Sequence, residues 1–211
     1  MKSAHPQKRE NGQFVVINHP SQETPLSAWG SANLVATVTP GGAMPVALNG
    51  VAFLECSDTQ STRSGSGELV GVVPSAEPPF VPPAGSRKAA GVVIEEPDGR
   101  VWLVAPTNQF GGYTATFPKG TVEEGMSLHA TAIVEAYEEA GLRVEILGFL
   151  MDVKRSQSFT RYYRARRIGG NPAAMGWESQ AVHLVPKSHL SEFLTNPYDA
   201  PLLQAILANR R

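Results

Sequence analysis

Three glutamates, Glu135, Glu138 and Glu139, stand at i, i+3 and i+4 in the segment EAYEEAG. In a helix, at ~100° per residue, these positions fall on one face. Carboxylates crowded in this way repel one another, and a helix normally gains nothing from the arrangement. A hard divalent cation relieves the repulsion, because Mg²⁺ and Mn²⁺ prefer oxygen ligands. The chemistry on offer is therefore metal-assisted, through charge neutralisation and activation of water. The competing reading is a solvated acidic helix face, the usual fate of a charge run.

Such a helix needs an entry, an exit and a buried side. Ser127 is placed to cap the N-terminus, since its hydroxyl can accept from an early backbone N–H. Gly141 suits the position after the last turn, where a left-handed backbone is required. Leu128, Ala132, Ala136 and Ala140 give a narrow apolar stripe of mostly small residues for close packing. Ahead of the helix, Phe117-Pro118 ends a strand and leads into a glycine-bounded loop.

Taken together, Phe117 to Leu142 resembles the box of the Nudix hydrolase family, G-x5-E-x7-R-E-U-x-E-E-x-G-U, with U aliphatic. Gly120, Glu135, Glu138, Glu139, Gly141 and Leu142 fall in register, and Ala136 is a small U. Two positions depart: Met126 stands where the box has its first Glu, and Val134 where it has Arg. Both being apolar reads as a joint replacement, because losing one partner alone would strand a buried charge. The departures bear on catalytic efficiency and metal affinity more than on fold.

The resemblance covers residues 88–208 and implies an α/β fold, a Nudix-like α/β/α sandwich with a mixed β-sheet. It implies a metal-dependent pyrophosphohydrolase using Mg²⁺ or Mn²⁺, which cleaves a diphosphate linkage in a nucleoside diphosphate-X or polyphosphate substrate. Glu135, Glu138 and Glu139 carry over as metal ligands, with the Gly120 carbonyl as a further one. Glu138 and Glu139 are the catalytic candidates on the helix, Glu138 as ligand or base. A second candidate base is Glu178 in MGWES; its alternative is a loop-surface carboxylate beside a packed Trp177. FPKG resembles the subset acting on polyphosphate-rich molecules, with Lys119 reaching a phosphate as a point charge. A small-molecule nucleotide or polyphosphate is thus the expected substrate, dinucleoside polyphosphates favoured and an RNA end admitted but not favoured.

Positive charge concentrates at Lys154, Arg155, Arg161, Arg164, Arg166 and Arg167. On a strand Arg164 and Arg166 share a face and could clamp a distal phosphate, with Tyr162 and Tyr163 as stacking surfaces for a base. The alternative is an edge strand protected by charge. The five histidines, His5, His19, His129, His183 and His189, make no metal-ligand spacing, and His129 falls away from the carboxylate face. Ser64 and Ser66 lack the G-x-S-x-G frame of a triad hydrolase.

With 18% charged residues and a net charge of −1, nothing demands nucleic acid or an acidic membrane as partner. The single cysteine, Cys56, excludes an internal disulfide. No window approaches the ~20 apolar residues of a membrane span, and the N-terminus lacks a signal-peptide core, so a cytoplasmic protein is expected.

Residues 1–12 read as a loosely held tail and residues 14–73 as β-like, with FVVIN, NLVATV, VAFLEC and ELVGVV as short strands. The proline-rich 74–86 reads as a linker. The expected division is a β-rich extension over residues 1–85 and a Nudix hydrolase domain over 86–211. The extension has three uses open to it: a separate module, added strands, or a homodimer or substrate-selecting surface. Within the domain, AAGVVIEE and VWLVAP read as a hairpin about residues 97–99. VEILGFLMDV, SFTRYYRARRI and AVHLVP read as strands, and SHLSEFL and APLLQAILANR as helices. The rival function is a Nudix-fold nucleotide-binding or regulatory module with weakened catalysis, motivated by Met126 and Val134.

Overall fold

The computed structural model describes residues 2–53 and 77–208. Cys56, the expected strand ELVGVV and the first three residues of the proline-rich segment lie outside the described residues. Strands β1 (Ser3–Lys8) and β2 (Phe14–Ile17) form an antiparallel hairpin, followed by β3 (Ala36–Val38) and the minimal hairpin of β4 (Ala47–Leu48) and β5 (Val51–Ala52). After the proline-rich segment come β6 (Arg87–Ile94), β7 (Arg100–Pro106), β8 (Lys119–Thr121) and helix α1 (Leu128–Ala140). The chain continues through β9 (Leu142–Lys154), β10 (Ser158–Gly170), β11 (Ser179–Pro186), α2 (Leu190–Phe193) and α3 (Ala200–Ala208).

One sheet runs β8-β6-β10-β9, with β6 and β10 parallel and the other pairs antiparallel. A second runs β3-β11-β7, all antiparallel. Alternation along the strands sends side chains into two cores. One lies under α1 and gathers Val92, Trp102, Leu142, Tyr163 and Leu184. The other joins Leu103, Phe117, Tyr162 and Val185 to Leu202 and Ile206 of α3. Mixed strands between helices make the α/β architecture that was expected.

Two local expectations change, and one left open is narrowed. β6 and β7 pair only at their turn, through the Glu95–Val101 bridge, and then part into different sheets. The reason is that both edges of β6 are already taken, by β8 and β10. The supposed tail contains strand β1, whose His5 is fully buried. Its order comes from backbone pairing and polar latches rather than an apolar period, which is why the sequence pattern missed it. Of the uses left open for residues 1–85, the described residues take up the added strand. β3 is an added strand beside β11, and Trp29 packs on Trp102 with ring centroids 5.9 Å apart.

Buried arginines fasten the early segment. Arg100 donates to the carbonyls of Ala28 (3.1 Å) and Trp29 (2.6 Å) and pairs with Asp98. Arg167 donates to Leu48 O at 2.8 Å, pairs with the buried Glu96 at 2.6 Å and lies over the Phe53 ring. Glu96 also accepts from the Trp102 indole at 2.8 Å. A cavity of about 460 Å³ between Leu26 and Arg100 shares no lining residue with the carboxylates discussed below.

Removing one member of a buried pair leaves the other charge uncompensated, at a cost of about 3–5 kcal/mol. R167A should lose that much in chemical denaturation, and a loss below about 1 kcal/mol would contradict the role given to this pair.

Candidate active site

Helix α1 begins where the hydroxyl of Ser127 accepts from Ala130 N–H at 3.1 Å. It ends at Gly141, whose φ of +66° is the left-handed conformation and whose N–H reaches Tyr137 O at 2.8 Å. Ala132, Ala136 and Ala140 are fully buried, so the helix axis sits close to the sheet. Larger side chains would hold it off. Beneath it β8 pairs antiparallel with β6, Gly120 opposite Ala90.

That closeness presses two carboxylates onto the β8 backbone. A Cβ on Gly120 would fall 1.7 Å from Glu135 Oε1, so the carboxyl of Glu135 occupies the space any side chain would need. One turn on, Glu139 is buried and its Oε2 accepts from Lys119 N–H at 2.8 Å. The loop after β10 is tied to the same helix, since Gly176 N–H donates to Glu138 O at 2.7 Å. Trp177 O and Glu178 O accept from the hydroxyl and N–H of Thr107, at 2.8 and 2.7 Å. These bonds bring Glu178 within electrostatic reach of Glu135 and Glu139.

Burial, and then the charges of Glu139, Glu178 and Glu138, push the Glu135 carboxyl up to about 9. Burial also raises Glu139, to about 7, although the Lys119 charge and its N–H bond pull it down. Glu178 is raised by partial burial and by Glu10, and lowered by Lys119 and Arg9. Lys119 Nζ stands 5.4 Å from the Tyr113 ring, and the Arg155 guanidinium 5.2 Å from the same ring. Arg155 is buried, pairs with Asp199 at 2.7 Å and donates to the Tyr162 hydroxyl at 2.7 Å.

The structure thus brings together Lys119, Gly120, Glu135, Glu139 and Glu178, with Glu138 exposed at the rim. Of the other substrate-binding candidates, Tyr162 lies within electrostatic reach of Glu139 but is closed off from substrate. Tyr162 is fully buried against Phe117 and offers no face to a base. Arg164 and Arg166 are exposed on the strand face opposite Tyr163 and Ala165, the pair that packs beneath α1. Arg166 pairs with Glu145. His129 is half-buried rather than on the open surface, stacked on Tyr163 with its Nε2 2.7 Å from Glu77. Residues that sequence reasoning missed are Tyr113 and the pair Arg9 and Glu10. Tyr113 follows the Gly111-Gly112 signal, whereas the other two carry no periodic pattern at all.

Among the described residues, no three His, Cys, Asp or Glu side chains converge in the arrangement of a closed metal site. The donor set nevertheless fits a hard dication. Glu135 and Glu139 are oxygen donors held together against repulsion and burial, and an added positive charge relieves both penalties.

An unperturbed glutamate ionises near 4.5. Above that value the unfolded chain loses protons that the folded chain keeps, up to about 7 for Glu139 and about 9 for Glu135. The stability linked to these groups is complete below about pH 4.5 and declines as pH rises through both values. The metal-free protein should therefore show a melting temperature that falls from pH 5 to pH 9, and E135Q should flatten the profile. A profile identical in wild type and E135Q would contradict the buried, repelling arrangement.

Residues 85–205 match the family model of the NUDIX domain. An RNA pyrophosphohydrolase of Caulobacter vibrioides is 38% identical over 96 residues, covering 44% of this chain and 52% of the relative. An RNA pyrophosphohydrolase of Shewanella piezotolerans is 34% identical over 84 residues, 40% of this chain and 45% of the relative. The chain thus spans about half the length of the curated relatives it matches. A NUDIX hydrolase crystal structure from Nitrosomonas europaea, 22% identical, superposes with a TM-score of 0.51 over 59% of this chain and 72% of that one, a likeness of fold. With the matched segment covering more than half of the sequence and the carboxylate helix at its centre, this chain belongs to the Nudix family.

Proposed function

We propose that this chain is a metal-dependent pyrophosphohydrolase acting on a phosphoric anhydride of a nucleoside 5′-polyphosphate. The carrying observation is a pair of carboxylates pressed from α1 onto β8, the half-buried Glu135 folded onto Gly120 and the buried Glu139 bonded to Lys119 N–H. A solvated acidic face has no reason to bury its charges. The sequence favoured dinucleoside polyphosphates over an RNA end. Relatives named RNA pyrophosphohydrolase support placing the RNA end first, and we take a triphosphorylated RNA 5′ end as the leading substrate.

A divalent cation held by Glu135, Glu138, Glu139 and the Gly120 carbonyl would supply charge neutralisation for the diphosphate and activation of water. The protein's own groups do the rest. Substitution at phosphorus needs little covalent help, so positioning and electrostatic complementarity carry most of the acceleration. Lys119 offers a point charge to a substrate phosphate from the wall of the site. Glu178, its carboxyl raised above the usual range, suits a general base, because a base works best when its pKa approaches the working pH. Glu138, exposed at the rim, is the alternative base or a ligand.

A second reading rests on Met126 and Val134, both half-buried where the family's box has an ion pair. It makes the chain a nucleotide-binding module with weakened catalysis.

A product-resolved hydrolysis screen separates the two readings, using Mg²⁺ or Mn²⁺ with triphosphorylated RNA, dinucleoside polyphosphates, nucleoside triphosphates and ADP-ribose. The expected outcome is metal-dependent release of pyrophosphate or phosphate from the RNA end. E139Q should lower kcat/KM by roughly 100-fold or more while the circular dichroism spectrum is retained. Wild-type silence across the panel, with nucleotide bound equally well without metal, would establish the binding module instead.

A further inference from the structure

The β1–β2 hairpin lies outside the segment matched to the family, yet both of its strands are latched to loops that border the carboxylates. From β1, the buried ring of His5 places Nε2 3.1 Å from Ser179 O, and Gln7 Nε2 donates to Ala174 O at 2.9 Å. These carbonyls flank Trp177 and Glu178. From the end of β2, Asn18 N–H donates to Asn108 Oδ1 at 2.8 Å, and Asn108 Nδ2 donates back to Val16 O at 2.8 Å. Asn108 and its neighbour Gln109 hold φ values of +54° and +56°. Left-handed backbone at two consecutive residues other than glycine is unfavourable, so the loop before Tyr113 is held in shape by these contacts.

The hairpin tip closes through Arg9 N–H to Gln13 O (3.0 Å) and Gly12 N–H to Arg9 O (2.8 Å). This turn projects Arg9 and Glu10. The Arg9 guanidinium lies over the Trp177 ring, 5.0 Å from its centroid, and Arg9 is otherwise exposed. Both tip charges act on Glu178, Glu10 raising its carboxyl and Arg9 lowering it. Two cations from separate parts of the fold therefore act on Glu178, Lys119 from β8 and Arg9 from the hairpin. Arg155, whose guanidinium lies over Tyr113, is buried and committed to Asp199.

We propose that the N-terminal hairpin is part of the substrate site and that Arg9 binds a phosphate of the polyphosphate chain beyond the scissile anhydride. Stacking on Trp177 fixes the guanidinium plane, which lowers the ordering cost of a bidentate phosphate contact. Arginine suits the task because its fork matches two phosphate oxygens at once. Glu10, beside it, opposes the same anion and sets how tightly the chain is held. The assignment rests on the hydrolase reading of the site and adds a preference for substrates with three or more phosphates over simple diphosphates.

The test is calorimetric binding of inorganic tripolyphosphate and pyrophosphate, with Mg²⁺ present, to the wild type, R9Q, R9K and E10Q. R9Q should weaken tripolyphosphate about tenfold and leave pyrophosphate within about twofold, and R9K should recover part of the loss. E10Q should tighten tripolyphosphate, an opposite sign that mere loosening of the hairpin would not produce. On a triphosphorylated oligonucleotide, R9Q should raise KM about tenfold with kcat within about twofold. Equal tripolyphosphate affinity in wild type and R9Q, or weaker binding in E10Q, would overturn the assignment. Arg9-dependent binding in a protein that hydrolyses nothing would sink the hydrolase reading and leave the hairpin's role standing. Hydrolysis unaffected by R9Q would do the reverse.

Discussion

The contact between the carboxyl of Glu135 and the bare Cα of Gly120 sets the terms for the rest of this molecule. It requires a helix lying close to an edge strand, and so a buried stripe of alanine rather than leucine. It requires a helix that starts and stops on schedule, which the Ser127 cap and the left-handed Gly141 provide. It also brings negative charges into a space that water has largely left. Burial and like charge together make ionisation of Glu135 and Glu139 unfavourable until something positive enters.

Positive charge elsewhere is distributed, not pooled. The arginines of β10 and its neighbours look in the sequence like one basic patch. In the fold Arg161 pairs with Asp152 and Glu77, Arg167 with Glu96, Arg155 with Asp199 and Arg166 with Glu145. Three of these guanidiniums are buried and hold segments distant in sequence against the sheet. Arg167 secures the β4–β5 hairpin and Arg161 the residues entering β6, since it donates to Pro78 O at 2.8 Å. The described residues that precede the family match thereby pack against the same sheets.

The box was legible because its chemistry is local. Helix limits, buried stripe and carboxylate face are all set by spacings of three and four residues, and the α/β class followed from the resemblance it carried. What the sequence hid was set by partners far away in the chain. β6 and β7 look like a hairpin because each run is apolar and a P-D-G turn joins them, but pairing depends on which edges other strands have occupied. Tyr162 and Tyr163 alternate into opposite cores, and no pattern within β10 says that both cores are closed. β1 was unreadable because its order rests on His5 and Gln7 meeting carbonyls more than 160 residues later.

The claim at the centre is that burial and repulsion keep Glu135 protonated, and Glu139 partly so, at neutral pH until a dication takes them. Binding of Mn²⁺ near pH 7, followed by electron paramagnetic resonance with proton release measured in parallel, addresses it directly. The account predicts that Mn²⁺ binds and expels protons, because ligands must ionise to coordinate. It predicts further that E135Q loses most of both signals. Mn²⁺ binding without proton release, or binding equal in wild type and E135Q, would contradict it.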